Sequence, residues 1–117
     1  MKYLLHGVLL TGLLWGLVLL YVPPIDAAGD AAKGKAVYEK YCMACHGSLG
    51  KGDGPAGLML KPPAADFTSA TSKKKSEADL KAVIENGKPG TAMGPWKGQL
   101  SPDEMSDVVG HVMILRK

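Results

Sequence analysis

The hexapeptide CMACHG, residues Cys42 to Gly47, constrains this chain more than any other stretch. It holds both cysteines, two residues apart, and sets a histidine directly after the second. Four chemistries use two thiols at that spacing. A thioredoxin-like redox pair sits at a helix N-terminus, where the dipole favours the thiolate, within a strand–helix–strand unit. Here the pair falls at the C-terminal end of a helix pattern, with no strand pattern on either side. A structural zinc takes four ligands. Adjacent Cys45 and His46 point about 100° apart on a helix, and only His6 and His111 are left to complete the set. A disulfide across so short a loop restrains little of the unfolded chain.

The fourth chemistry uses every residue. Cys-x-x-Cys-His is the attachment signature of c-type haem. Two thiols one helical turn apart bond to the two vinyl groups along one porphyrin edge, and the histidine beyond reaches the iron through Nε2. Cys42, Cys45 and His46 are thus candidate haem-binding residues, with His46 a candidate iron ligand. Size argues the same way. Subtracting the first 22 residues from 117 leaves 95, one small domain whose aromatics are Tyr38, Tyr41, Phe67 and Trp96. A domain of that length buries about two thirds of its unfolded surface and usually needs a metal, disulfides or a bulky cofactor. Its 13 basic and 11 acidic side chains net to +2. With no basic stripe among aromatics, a nucleic-acid partner is excluded. Lys73, Lys74 and Lys75, the one charge run, read as a solvated loop.

Helix signals divide the domain. Asp30 is a good N-cap for a helix from about Ala31 to Cys45. The stretch from Gly47 to Ser72 is too rich in Gly, Pro and Ser for regular structure and reads as a long loop. Ser76 with Asp79 opens a second helix, EADLKAVIEN, which Gly87 ends. A second irregular stretch, KPGTAMGPWKGQ, leads to the strongest helix start, Ser101-Pro102 with Glu104. Met105, Val108, Val109 and Val112 then form one stripe. Without an alternating run, a hairpin signal or a repeat, the expected fold class is all-α: three main helices and two long loops.

The N-terminal 22 residues are of another kind. Leu4 to Val22 is apolar apart from His6 and Thr11, and Tyr3 and Tyr21 sit near its ends. Nineteen residues reach about 27 Å as a helix, near the hydrocarbon thickness, and Pro23-Pro24 stops it. Residues 1–22 therefore read as a transmembrane anchor, 23–29 as a linker and 30–117 as the domain. The small-residue site around Ala27 and Gly29 keeps a cleaved signal peptide as the alternative. Either way Lys2 on the short side favours export of the domain, into the periplasm of a bacterium. Gly12 and Gly16 have a small-xxx-small spacing that allows helix pairing.

From about Gly29 to Leu115 the chain resembles the class I, single-haem cytochromes c. GDAAKGKAVYEKYCMACHG is similar to that family's first helix and haem motif. GKGDGPAGL with PPAADFT is similar to its loop over the haem, and NGKPGTAMGPW with LSPDEMSDVVGHV to its methionine loop and final helix. The resemblance implies a cytochrome c fold around one covalent haem c. Among the methionines, Met1, Met105 and Met113 are start or core residues and Met43 lies inside the haem motif, leaving Met59 and Met93. The resemblance implies Met93 as the axial ligand, although Gly94 stands between it and Pro95 where the family has proline directly. It also implies that the Pro55 carbonyl accepts the Nδ1 proton of the haem histidine. Gly34 and Tyr38 would pack against Val108 and Gly110, His111 would be a packing or surface residue, and Trp96 would lie against a haem edge or propionate.

A histidine–methionine pair fills both axial positions and favours ferrous iron. The iron is then confined to changing valence, so the expectation is a single-electron carrier of a respiratory chain rather than an enzyme. Its partners would be redox proteins and the membrane. A permanent haem subunit of a larger membrane oxidoreductase, docked through the leader helix, is the alternative. A haem sensor or peroxidase would require the sixth position to be open or labile.

Overall fold

The computed structural model describes residues 29–117, so the apolar stretch Leu4–Val22 and the linker up to Ala28 lie outside the described residues. Among the described residues no helix is long and apolar enough to cross a membrane. The α-helices among the described residues are α1 (Ala31–Tyr41), α2 (Met43–His46), α3 (Ala70–Lys73), α4 (Glu77–Asn86) and α5 (Pro102–Leu115). A 3-10 turn spans Gly57–Met59, and the nearest thing to a strand is an isolated bridge between Lys97 and Leu100. The all-α expectation holds.

The three long helices start where local chemistry starts them. The Asp30 carboxylate accepts from the amides of Ala32 and Lys33 at 2.9 and 3.2 Å. Ser76 with Asp79 and Ser101 with Glu104 form reciprocal capping boxes, and Pro102 occupies the first turn of α5. Gly87, at φ 70°, ends α4.

Two expectations need correction. The first helix does not run unbroken to Cys45. It stops at Tyr41, Cys42 makes a one-residue turn with φ stretched to −116° (ψ −33°), and α2 begins anew. Downstream, the carbonyls of Ala44 and Cys45 accept from the amides of Ala56 and Gly54 at 3.0 and 3.2 Å. The returning loop thereby takes the carbonyls that a continuation of α2 past His46 would use. Nor is the long loop wholly irregular. It holds the 3-10 turn and α3, whose N-cap Ser69 accepts from the Ser72 amide.

α1 crosses α5 at backbone distance. A Cβ on Gly34 would lie 1.8 Å from the Asp107 carbonyl oxygen, and one on Gly110 would lie 2.6 Å from that of Gly29. The Asp30 amide donates to Asp107 Oδ1 at 2.7 Å, closing the crossing. Around it Tyr38, Leu80, Val108, Val109 and Val112 form the core. Each such side chain contributes about 1.5–3 kcal/mol by burial. The α5 stripe is buried as its spacing predicts. His111 is buried against the Tyr38 ring, centroids 5.0 Å apart, the packing role expected of it. At the other end of α5, Arg116 donates to the carbonyls of Ser72 and Lys75 at 3.2 and 2.9 Å, holding the α3 turn in place.

Candidate functional site

An apolar cleft of about 580 Å³ opens beside the core and shares Leu80, Val108 and Val112 with it. Cys42, Cys45, His46, Met93 and Trp96 all line it. The fold thus brings five of the six sequence-predicted site residues to one cavity, from α1–α2 on one side and the 87–100 loop on the other.

The cysteines are free thiols, one on each side of the α2 start. Burial, reinforced by the neighbouring Cys45, pushes the Cys42 thiol up to about 11. A redox-active pair needs the opposite shift, so the thioredoxin-like reading finds no support here. Among the described residues no group of three or more His, Cys, Asp and Glu could hold a metal ion, which gives zinc no site there.

His46 is oriented by its surroundings. Its Nδ1 lies 3.1 Å from the Ala65 carbonyl oxygen, which assigns the proton to Nδ1 and leaves the Nε2 lone pair free. Burial lowers its pKa, opposed in part by the Ala65 bond, so the neutral, ligand-competent imidazole is favoured. The Pro55 expectation is therefore corrected. Pro55 is exposed, does not line the cleft, and sits where Gly54 and Ala56 tie the chain to α2. The chain reaches the histidine ring only later, in the run from Lys61 to Asp66, and there the carbonyl of Ala65 faces Nδ1.

Met93 is held by a closed turn. Its carbonyl accepts from the Lys88 amide at 2.8 Å, its amide donates to Thr91 Oγ1 at 3.2 Å, and that hydroxyl donates to the Lys88 carbonyl at 2.7 Å. Gly87 permits this approach, since a Cβ there would lie 2.7 Å from the Met93 oxygen. Met59, the other candidate, is 84% exposed and off the cleft. Trp96 leans on Tyr41 with ring centroids 5.4 Å apart, and its backbone amide donates to the Ile84 carbonyl at 2.9 Å.

Sequence reasoning missed three features of the cleft. Phe67 lies against His46, with centroids 4.6 Å apart and planes 19° from parallel. Ala65 supplies the Nδ1 acceptor, a backbone atom with no side-chain signal. Lys75 and Lys88 are the charged side chains on the lining, with no carboxylate among it. A flat apolar group with an anionic edge fits this cavity: two thiols at the attachment spacing, a free imidazole nitrogen, a thioether and two cations. Haem c, with its two propionates, has that chemistry.

Comparison with known proteins points the same way. Residues 29–112 match the family model described as cytochrome c oxidase, cbb3-type, subunit III. The chain is 31% identical over 91 residues to cytochrome c-554(547) of Halothiobacillus neapolitanus, covering 76% of this chain and 100% of that protein. It is 34% identical over 90 residues to the cbb3-type cytochrome c oxidase subunit FixP of Bradyrhizobium diazoefficiens, covering 76% of this chain but 29% of that one. Among solved structures, the KustC0563 c-type cytochrome superposes with a TM-score of 0.59 at 31% identity, covering 72% of this chain and 98% of that chain. The chain belongs to this family of c-type cytochromes, electron-transfer proteins built on a covalently bound haem c.

Proposed function

We propose that this chain carries single electrons, with Cys42 and Cys45 as the haem attachment points and His46 and Met93 as the two axial ligands. Haem c, when bound by these residues, would supply the one-electron chemistry. The chain's own residues do the rest. Ala65 holds the proton on Nδ1 so that Nε2 faces the cleft. The Lys88–Met93 turn holds the thioether on the same cavity. A thioether ligand and an apolar surround both favour the ferrous state and so raise the potential. Trp96 closes one edge with Tyr41, and Lys75 and Lys88 offset the charge of the propionates.

The observation that carries this reading is the convergence of one imidazole and one half-buried thioether on one cleft, while Met59 is 84% exposed. Met93→Ala tests it. The variant haem is expected to bind carbon monoxide and the parent haem is not; carbon monoxide binding unchanged by the substitution would refute Met93 as ligand.

We further infer that Leu4–Val22 anchors the domain to a membrane, with the haem cleft on the exported side, on its length and interfacial tyrosines. The match to an oxidase subunit model favours a place within a membrane complex over a free shuttle. The intact mass of the haem-stained protein, from membrane and soluble fractions separately, decides it. A full-length chain plus one haem in membranes is expected. A mass lacking the first 27–29 residues, in the soluble fraction, would make it a free carrier of the exported compartment.

A further inference from the structure

We propose that Phe67 is a positioning residue that sets the rotational angle of the His46 imidazole. The inference rests on His46 being an axial ligand, as argued above. A single hydrogen bond from Nδ1 to the Ala65 carbonyl is a pivot: it fixes one atom of the ring and leaves the plane free to swing about it. A second restraint must act on the flat face. Phe67 supplies it, lying 19° from parallel at a centroid distance of 4.6 Å. Both restraints come from one piece of chain, two residues apart, so they move together.

That piece is itself fixed on three sides. The Phe67 amide donates to the Gly50 carbonyl at 2.7 Å, and Gly50 is bare where a Cβ would meet the Phe67 ring at 2.7 Å. Tyr38 meets the same ring edge-on, 6.4 Å between centroids at 60°. Asp66 accepts from both the amide and the hydroxyl of Thr68 at 2.8 and 2.7 Å, locking the turn that presents the ring. Tyr38 also donates its hydroxyl to the Gly47 carbonyl at 2.6 Å, one residue past the histidine. A line of contacts therefore runs from the α1–α5 core through Tyr38 and Phe67 to the imidazole. Groups beyond the ligand tune a metal by orienting it, and water reaching the pocket lowers the potential of a haem.

The test uses the holoprotein. Phe67→Leu removes the flat face while keeping an apolar side chain; Phe67→Tyr keeps the face. Proton NMR of the ferric protein reads the angle through the shifts of the four haem methyls, and a redox titration reads the potential. Phe67→Leu is expected to change the methyl order or split it into more than one set, and to lower the potential. Phe67→Tyr is expected to keep the parent pattern. If Phe67→Leu does not accumulate with haem, Phe67→Met, which fills the space without a plane, is read in the same way. Parent-like methyl shifts and potential in the planeless variant would overturn the proposal. His46→Gly separates the two readings. If it keeps the parent spectrum, His46 is not the ligand and both fall. If it loses that spectrum while Phe67→Leu keeps it, only the role of Phe67 falls.

Discussion

Where α1 crosses α5, side-chain size and burial do the holding: two glycines let the backbones touch, and Tyr38, Val108 and Val109 are fully buried around them. In the loops 47–67 and 87–100, backbone does it. Gly47, Gly50, Gly52 and Gly87 adopt left-handed angles, and amides and carbonyls bond across the turn rather than along a helix. The first region can stand on its own packing. The second has a cavity of about 580 Å³ on its inner side, so it depends on what fills that cavity. Damage to the crossing at residues off the cleft should therefore appear as lost stability with an unchanged haem environment, and damage to the loops as an altered haem environment at smaller cost.

Gly34→Val presses hardest on that contrast. Its Cβ falls onto the Asp107 carbonyl, which cannot move without parting the helices. A loss of about 3–5 kcal/mol is expected in denaturant unfolding of the holoprotein. Val109→Ala, at a side chain with 0% exposure that does not line the cleft, should cost about 2–3 kcal/mol, with no spectral change. A spectral change in Val109→Ala would mean that the crossing and the cleft are one unit. Gly52→Ala approaches from the loop side: its φ is 74° and its Cβ would meet the Ala64 carbonyl at 2.4 Å. About 1–2 kcal/mol of strain is expected, together with broadened or doubled haem signals, because the neighbouring Ala65 carbonyl holds His46. A clean parent spectrum in Gly52→Ala would break the comparison.

The smallest effect is one of pH. Burial beside Tyr38 lowers the pKa of His111, helped by Lys35 and opposed by Glu39. The unfolded chain then takes up the proton first, at about 6.5. His111 thus favours folding fully above that value and loses its contribution as pH falls below it. Thermal melts of the parent and of His111→Phe from pH 7.5 to 5 should diverge on the acid side, the parent falling more steeply. Parallel curves would show the ring to be protonated equally in both states.

What the sequence discloses follows the same division. Caps at Asp30, Ser76 and Ser101 and the stripe from Met105 to Val112 are local signals, and each helix begins where they say. The cysteines and histidine announce their own chemistry. The end of α2 is not wholly local: amides of Gly54 and Ala56, on the returning loop, take the carbonyls of Cys45 and Ala44. The Nδ1 acceptor is a carbonyl, which every residue has, so nothing in the letters separates Ala65 from Pro55. Phe67 carried a fainter sign, as the one phenylalanine of the chain beside an Asp-x-Thr turn.

The bond between Asp30 and Asp107 joins residues 77 apart. At about 5–20 residues per second of synthesis, Asp30 waits roughly 4–15 s for Asp107. During that interval Tyr38 has no α5 to pack against, and the core on which the half-buried Cys42 rests is incomplete. The two thiols are thus presented on an open chain before they are walled in. A fold closed by short-range contacts would shut sooner and hide them; this one leaves a window in which its cysteines can still be reached.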